Sequence, residues 1–182
     1  MSTTPNEPDA VVAFWRDAGM DSWFKKDEAF DRGFRDRYLD LHMAAARREL
    51  DHWEDTAYGT LALLILLDQL PRNAFRGTGH MYATDPLARY FARRMIQAGR
   101  DADIESQLRV FCYLPLSHSE NADDQRQSVA LHRALGEPWL YHAVDHQRIV
   151  ERFGRFPHRN ALLGRQTSPD EQAFLDEGGF AG

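Results

Sequence analysis

Three stretches of this sequence concentrate groups that bind anions or move protons. The first, LLDQLPRNAFRG at 66–77, holds Asp68, Arg72, Asn73 and Arg76. Asp68 lies near the end of a segment apolar enough to be a buried helix. A carboxylate there is disfavoured twice, by the helix dipole and by loss of its water. It needs a cation, and Arg72 and Arg76 follow at four-residue steps. Asn73 can hydrogen-bond loop backbone. Two readings fit this block: an Asp–Arg clamp that fixes a helix end, or an arginine that also reaches a ligand.

The second stretch, RFGRFPHRNALLGR at 152–165, carries Arg152, Arg155, His158, Arg159, Asn160 and Arg165 with no acid. Gly154 and Pro157 make it a turn. Guanidinium groups so close together repel unless anions compensate them. Those anions are either Asp and Glu from elsewhere in the fold, or a bound phosphate or carboxylate. Phe153 and Phe156 read as core anchors, or as surfaces on which bases could stack. The third stretch, YLPLSHSEN at 113–121, places His118 and Glu120 in a connector after an apolar helix. A histidine and a carboxylate near arginines can act as acid and base. The alternative is loop capping by Ser117, Ser119 and Asn121, with His118 a hydrogen-bonded spacer. The ligand-binding candidates are therefore Arg72, Asn73, Arg76, Arg155, Arg159, Asn160 and Arg165. The acid–base candidates are His118, Glu120, His158 and Asp68.

Other chemistries find little support. His142 and His146 share a helix face with Asp145 beside them, but HAVDH lacks the glutamate of HExxH and no third ligand is evident. No metal site and no cofactor are expected. No phosphate-binding glycine loop, dinucleotide fingerprint or GxSxG elbow occurs. Cys112 sits in an apolar helix and reads as core. As the only cysteine it excludes an intrachain disulfide and points to a reducing, cytoplasmic setting. The N-terminus shows neither a basic segment nor an apolar stretch of the kind a signal peptide needs. The longest apolar run, 61–67, falls well short of the roughly 18 residues of a membrane span. A net charge of -6 argues against nucleic acid and anionic lipid as partners. The basic residues are nonetheless almost all arginine, Lys25 and Lys26 being the only lysines, and arginine suits fixed anion contacts. The expected partner is a small anionic ligand or an acidic peptide.

The elements that must position these groups are helices. Gly and Pro punctuate the chain at helix-length intervals. The pattern predicts helices over about 7–18, 27–50, 56–70, 85–98, 103–114, 121–135 and 138–153, with a short one after Ser168. Trp23 and Phe24 fall in a connector. Phe30, Phe34, Tyr38, Leu41 and Ala45 form one face of the second helix, and its charges read as solvated surface. Thr56 and Asp85 read as N-caps, and Pro71 and Pro115 as helix stops. No alternating strand pattern or hairpin turn appears. The expectation is an all-α fold of about eight helices in antiparallel hairpins, one domain over 1–182, with 1–6 and 178–182 as flexible tails. No clean 34-residue repeat is visible. Arg-Asn-Ala does recur after helix ends, in PRNAF at 71–75 and HRNAL at 158–162.

Taken in order, these blocks resemble the bacterial domain-of-unknown-function 924 family. The resemblance rests on FW at 14–15, WF at 23–24, LALLILLDQLPRNAFRG at 61–77, YLPLSHSEN at 113–121 and RFGRFPHRNALLGR at 152–165. It spans about residues 11 to 176. It implies an all-α fold of stacked helical hairpins like that of tetratricopeptide-repeat (TPR) proteins, and it implies no activity. The family's blocks fall on Asp68, Gln69, Arg72, Asn73, Arg76, His118, Glu120, Arg155, His158, Arg159, Asn160 and Arg165, and also on His146. Leu70 departs from the phenylalanine usual there, which alters packing and not chemistry. Three functions stay open at this level: a binding module, an enzyme acting on a phosphorylated or carboxylated metabolite, and a buried polar network in an interaction scaffold.

Overall fold

A computed structural model describes residues 7–180, and these contain helices and turns with no strand. The chain gathers into two compact units. Of the described residues, unit 1 holds those up to Arg76 together with His80–Pro115, and unit 2 holds Gly77–Gly79 and those from Leu116 onward.

Unit 1 is built on α1 (Glu7–Ala18), α2 (Met20–Trp23), α3 (Glu28–Ala46), α4 (Ala57–Leu64), α5 (Leu70–Ala74), α6 (Asp85–Gln97) and most of α7 (Ser106–Ser117). Helix α4 is buried on every side, as its unbroken apolar sequence requires, and α1 and α6 pack on it. Its cap is the one expected: Thr56 Oγ1 accepts from the Gly59 amide. Trp15, Phe34, Phe91 and Phe111 fill the core around it. Trp23 lies in the one-turn helix α2, not in a bare connector, and its indole donates to the Trp15 carbonyl at 2.6 Å. Helix α3 stops at Ala46, four residues earlier than its pattern suggested, because the chain reverses through Arg48 at φ 65°. Cys112 is buried, and burial pushes its thiol pKa up, so it is a poor nucleophile.

Neither proline stops its helix. Ahead of Pro71 the backbone widens into a π-helical turn, Ile65–Gln69, in which the Leu70 amide reaches back five residues to Ile65. Pro71 then enters the first turn of α5, where its missing N–H is tolerated. Carbonyls that the widened turn exposes accept from side chains instead. Leu66 is bonded by His42 Nδ1 at 2.8 Å, Leu67 by Thr84 Oγ1 at 2.6 Å, and Asp68 by Arg72 Nη1 at 2.7 Å. Pro115 is carried inside α7, which ends two residues later at Ser117.

Unit 2 contains α8 (Ala122–Leu135), α9 (Trp139–Phe153) and α10 (Pro169–Asp176). Helices α8 and α9 pack against each other across the turn at Gly136. Asn121 caps α8, and a full capping box between Ser168 and Glu171 starts α10. Gly154 ends α9 in the left-handed conformation. Ile149, Val150 and Phe156 form a core joined by Phe153, Phe174 and Phe180. Phe180, within the 178–182 stretch expected to be a flexible tail, makes aromatic contacts with that core. Residues 1–6, expected to be flexible, and 181–182 lie outside the described residues. No described helix is long and apolar enough to cross a membrane.

Candidate functional site

The first Arg-Asn block closes on carboxylates. Asp68, only 1% exposed, does find Arg72, at 3.1 Å. Arg72 also grips Asp85 with both arms of its fork, at 2.8 and 3.0 Å, and stands over the Tyr82 ring. Burial alone would lower the guanidinium pKa, but Asp68 and Asp85 outweigh it and hold the group firmly charged. Asp85 was expected to cap α6. Its carboxylate serves Arg72 instead, and Thr84 takes the N-cap position without a side-chain cap bond. Gln69 completes the cluster by donating to Asp68 at 2.6 Å.

Arg76 and Asn73 turn to a different acid. Arg76 holds both oxygens of Asp31, at 2.8 and 3.1 Å, and Asn73 Nδ2 donates to Asp31 at 2.7 Å. Asp31 is buried, contrary to its reading as solvated surface. The signal was present in the sequence. Asp31, Phe34, Tyr38, His42 and Ala45 lie three or four residues apart and make up the buried stripe of α3. A carboxylate on such a stripe needs a partner, as Asp68 does.

In unit 2 the acid-free stretch is compensated from other segments. Arg155 grips Glu171 at 2.6 and 2.8 Å. The Arg155 fork is the largest of several bonds that bring the Glu171 carboxyl down to about 2, with the Ser168 amide and Asn160 adding to it. Asn160 thus faces this pair, and its Nδ2 also lies 3.4 Å from Thr167. Arg165 grips Glu120 at 2.8 and 2.9 Å, and the Phe156 amide donates to the same carboxylate. Burial would raise the Glu120 pKa, but Arg165, the Phe156 amide and Arg159 together hold it below the usual carboxylate range. Glu120 is engaged as an anchor for the 156–165 turn.

Arg159 sits in a different company. It is 7% exposed, donates to the His118 carbonyl at 3.0 Å, and covers the Phe156 ring at 4.6 Å. Around it gather three imidazoles. His118 and His146 have ring centroids 6.4 Å apart. His146 meets Phe156 at 5.4 Å and Phe180 at 4.6 Å, and His158 meets the same rings at 5.7 and 5.1 Å. His118 and His158 are half-buried, whereas His146 is 8% exposed. Burial first, then the charges of His118, Arg159, His142 and His158, pushes the His146 pKa down to about 3. Its Nδ1 is buried with no hydrogen-bond partner. Sequence reasoning placed His146 in an unsupported metal pair with His142 and, through the family resemblance, beside the last block without a role. Its apolar-face spacing with Ala143, Ile149 and Val150 on α9 was the available signal. No group of three or more His, Cys, Asp or Glu side chains with metal-binding geometry occurs among the described residues.

Deeper in the unit, Ser117 and Ser128 share a hydroxyl bond of 2.6 Å, and His132 Nδ1 donates to the Ser128 carbonyl at 2.8 Å. Gln125 donates to the carbonyls of Ser117 and Ser119, and Ser119 bonds Asp124. This scaffold fixes the connector that carries His118. Ser117 and Ser119 brace that connector from within, while Asn121 makes the cap expected of it.

Two comparisons find relatives. A family model described as "Bacterial protein of unknown function (DUF924)" matches residues 11–179. The solved structure of a protein of unknown function from Agrobacterium tumefaciens, ATU0120, is 55% identical. The match covers 94% of this chain and 98% of that one, with a TM-score of 0.93. No curated protein matches the chain.

Proposed function

Since the chain belongs to the DUF924 family of bacterial proteins, whose description assigns no activity, we propose its function from the site itself: it is a cytoplasmic, TPR-like helical binding protein that holds a small anionic ligand in unit 2. Arg159 supplies the charge, and His118, His146 and His158 supply further donors. The observation that carries this reading is His146 Nδ1, a buried ring nitrogen without a partner in the same cluster as a buried guanidinium. A buried polar atom without a partner calls for a specific explanation, and what sets His146 Nδ1 apart from His42 Nε2, also buried without one, is the neighbouring guanidinium. A phosphate or carboxylate oxygen would provide that explanation. In this reading His118 and His158 can exchange protons with the bound anion. Asp68 and Glu120, each held by an arginine, are structural. The Arg72, Asn73 and Arg76 block is structural too, as are Arg155, Asn160 and Arg165.

The test is calorimetric titration with inorganic phosphate and with acetate between pH 5 and 8. Binding should strengthen as pH falls, because an anion favours the protonated form of each nearby imidazole. It should weaken at least about tenfold in Arg159→Lys, which keeps the charge and loses the planar fork. Absence of binding by either anion across that range, or affinities unchanged in Arg159→Lys, would overturn the reading.

A further inference from the structure

The neighbours of His146 suggest more than an anion. Phe156, Phe180 and His118 all meet its ring nearly edge-on, at 89°, 87° and 75°. The two phenylalanines are held very differently. Phe156 is 1% exposed, its amide is bonded to Glu120, and Pro157 follows it. Phe180 is half-buried and lies beyond the end of α10, after Gly178 at φ +83° and Gly179. Gly179 passes tightly under Phe174, where a Cβ would meet the ring at 2.5 Å. The glycines let the chain turn there and deliver one aromatic ring against His146 and His158.

We propose that the ligand of this site carries an aromatic ring beside its anionic group, and that its ring enters by displacing Phe180. The inference rests on the anion reading above and adds the class of ligand. The incoming ring takes over the edge contacts with His146, His158 and Phe156, geometries that aromatic pairs favour. The anionic group then lies against Arg159 and the buried nitrogen of His146. Phe180 is a replaceable wall, and Phe156 is a fixed one.

Calorimetry on the full chain and on Phe180→Ala tests this with matched probes: benzoate against acetate, phenyl phosphate against inorganic phosphate, and toluene as a neutral ring. In the parent protein each aryl anion should bind about tenfold or more tighter than its ring-free counterpart. Phe180→Ala should widen that gap by about tenfold again and leave acetate and phosphate nearly unchanged. Toluene should bind the variant more weakly than benzoate. If all anions gain equally in Phe180→Ala, the ring is only a cover and the inference falls while the anion reading stands. If toluene binds as well as benzoate, the variant merely holds a greasy hole, and the inference falls again. If neither acetate nor phosphate nor their aryl partners bind either protein, both readings fail together. Phe180→Leu, a gentler change, keeps the test usable should the alanine variant unfold by circular dichroism. It should give the same order of probes with a smaller gain.

Discussion

Arg72-Asn73-Ala74 and Arg159-Asn160-Ala161 are the same three residues, and the molecule surrounds them differently. In unit 1 the arginine is clamped between Asp68 and Asp85, and the asparagine donates to Asp31. In unit 2 the arginine lies among imidazoles and over a ring, near enough to Glu120 to lower its pKa but not clamped between two acids, and the asparagine turns to Thr167 and the Glu171 pair. Local sequence therefore sets where a guanidinium stands. Its role is set by what distant segments bring to it. Asp85 and Asp31 arrive from other helices and make the first site a structural joint. His118, from the connector after α7, and His146, from α9, come to the second and surround its guanidinium with imidazoles. Loss of one partner from a buried Arg–carboxylate joint is strongly destabilising, whereas imidazoles around a guanidinium are the groups that anion binding in unit 2 would call on.

The most severe way to break the comparison is Arg72→Met. It leaves Asp68 and Asp85 facing each other without their common cation and strips the Asp68 carbonyl of a donor. Loss of one member of such a buried pair costs about 3–5 kcal/mol. Urea denaturation at pH 7 should show a drop of that order, and Asp31→Ala should show a smaller one because Arg76 is exposed enough to be rehydrated. A loss under about 1 kcal/mol for Arg72→Met, the range of exposed pairs, would mean that the two blocks do not differ as described.

Much of this was legible beforehand, and the reasons for the misses are physical. Capping residues act within three or four positions, so Thr56, Asn121 and Ser168 announced their helices directly. The need of Asp68 for a cation followed from its place near the end of an apolar, buried segment. The partners of Arg76, Arg155 and Arg165 were not legible, because Asp31, Glu171 and Glu120 lie tens of residues or a whole element away. Pro71 and Pro115 misled for a local reason: a proline forbids one hydrogen bond, and a π turn or a nearby helix end absorbs that loss. His146 was visible as half of a metal pair that lacked a third ligand and as a family-block residue without a role. Its meaning depends on Arg159 and Phe180, which only the fold brings to it.

A second experiment sharpens the contrast through pH. His146 has a pKa pushed down from 6.5 to about 3 by burial and neighbouring charge. The unfolded chain therefore binds a proton that the folded chain refuses. Its stabilising effect is complete above about pH 6.5 and is lost progressively as pH falls towards 3. The slope approaches about 1.4 kcal/mol per pH unit for one such group. His146→Gln, which cannot titrate, should flatten stability between pH 6.5 and 4, as measured by urea midpoints. Addition of phosphate should restore stability to the parent protein in that window and do much less for the variant. An unchanged pH profile in His146→Gln would remove the titratable character claimed for unit 2.

The smallest expected effect concerns the Arg155–Glu171 pair, and it separates structural arginines from one another. Glu171 is held near 2 instead of 4.5, chiefly by the Arg155 fork. Its contribution is present above about pH 4.5 and fades as pH falls towards 2. Arg155 is half-exposed and opens towards a cleft shared with Arg152 and Asp170, so water and salt reach its guanidinium, although Glu171 itself is buried. Glu171→Gln should therefore cost less than Arg72→Met, flatten only the acid limb below pH 4.5, and lose more of its effect in about 1 M salt than Arg72→Met does. Arg72→Met, sealed between Asp68 and Asp85, should be nearly indifferent to the same salt. Equal salt sensitivity in the two variants would show that burial does not rank these joints, and the distinction between a sealed arginine in unit 1 and surface-supported arginines around the unit 2 cluster would have to be redrawn.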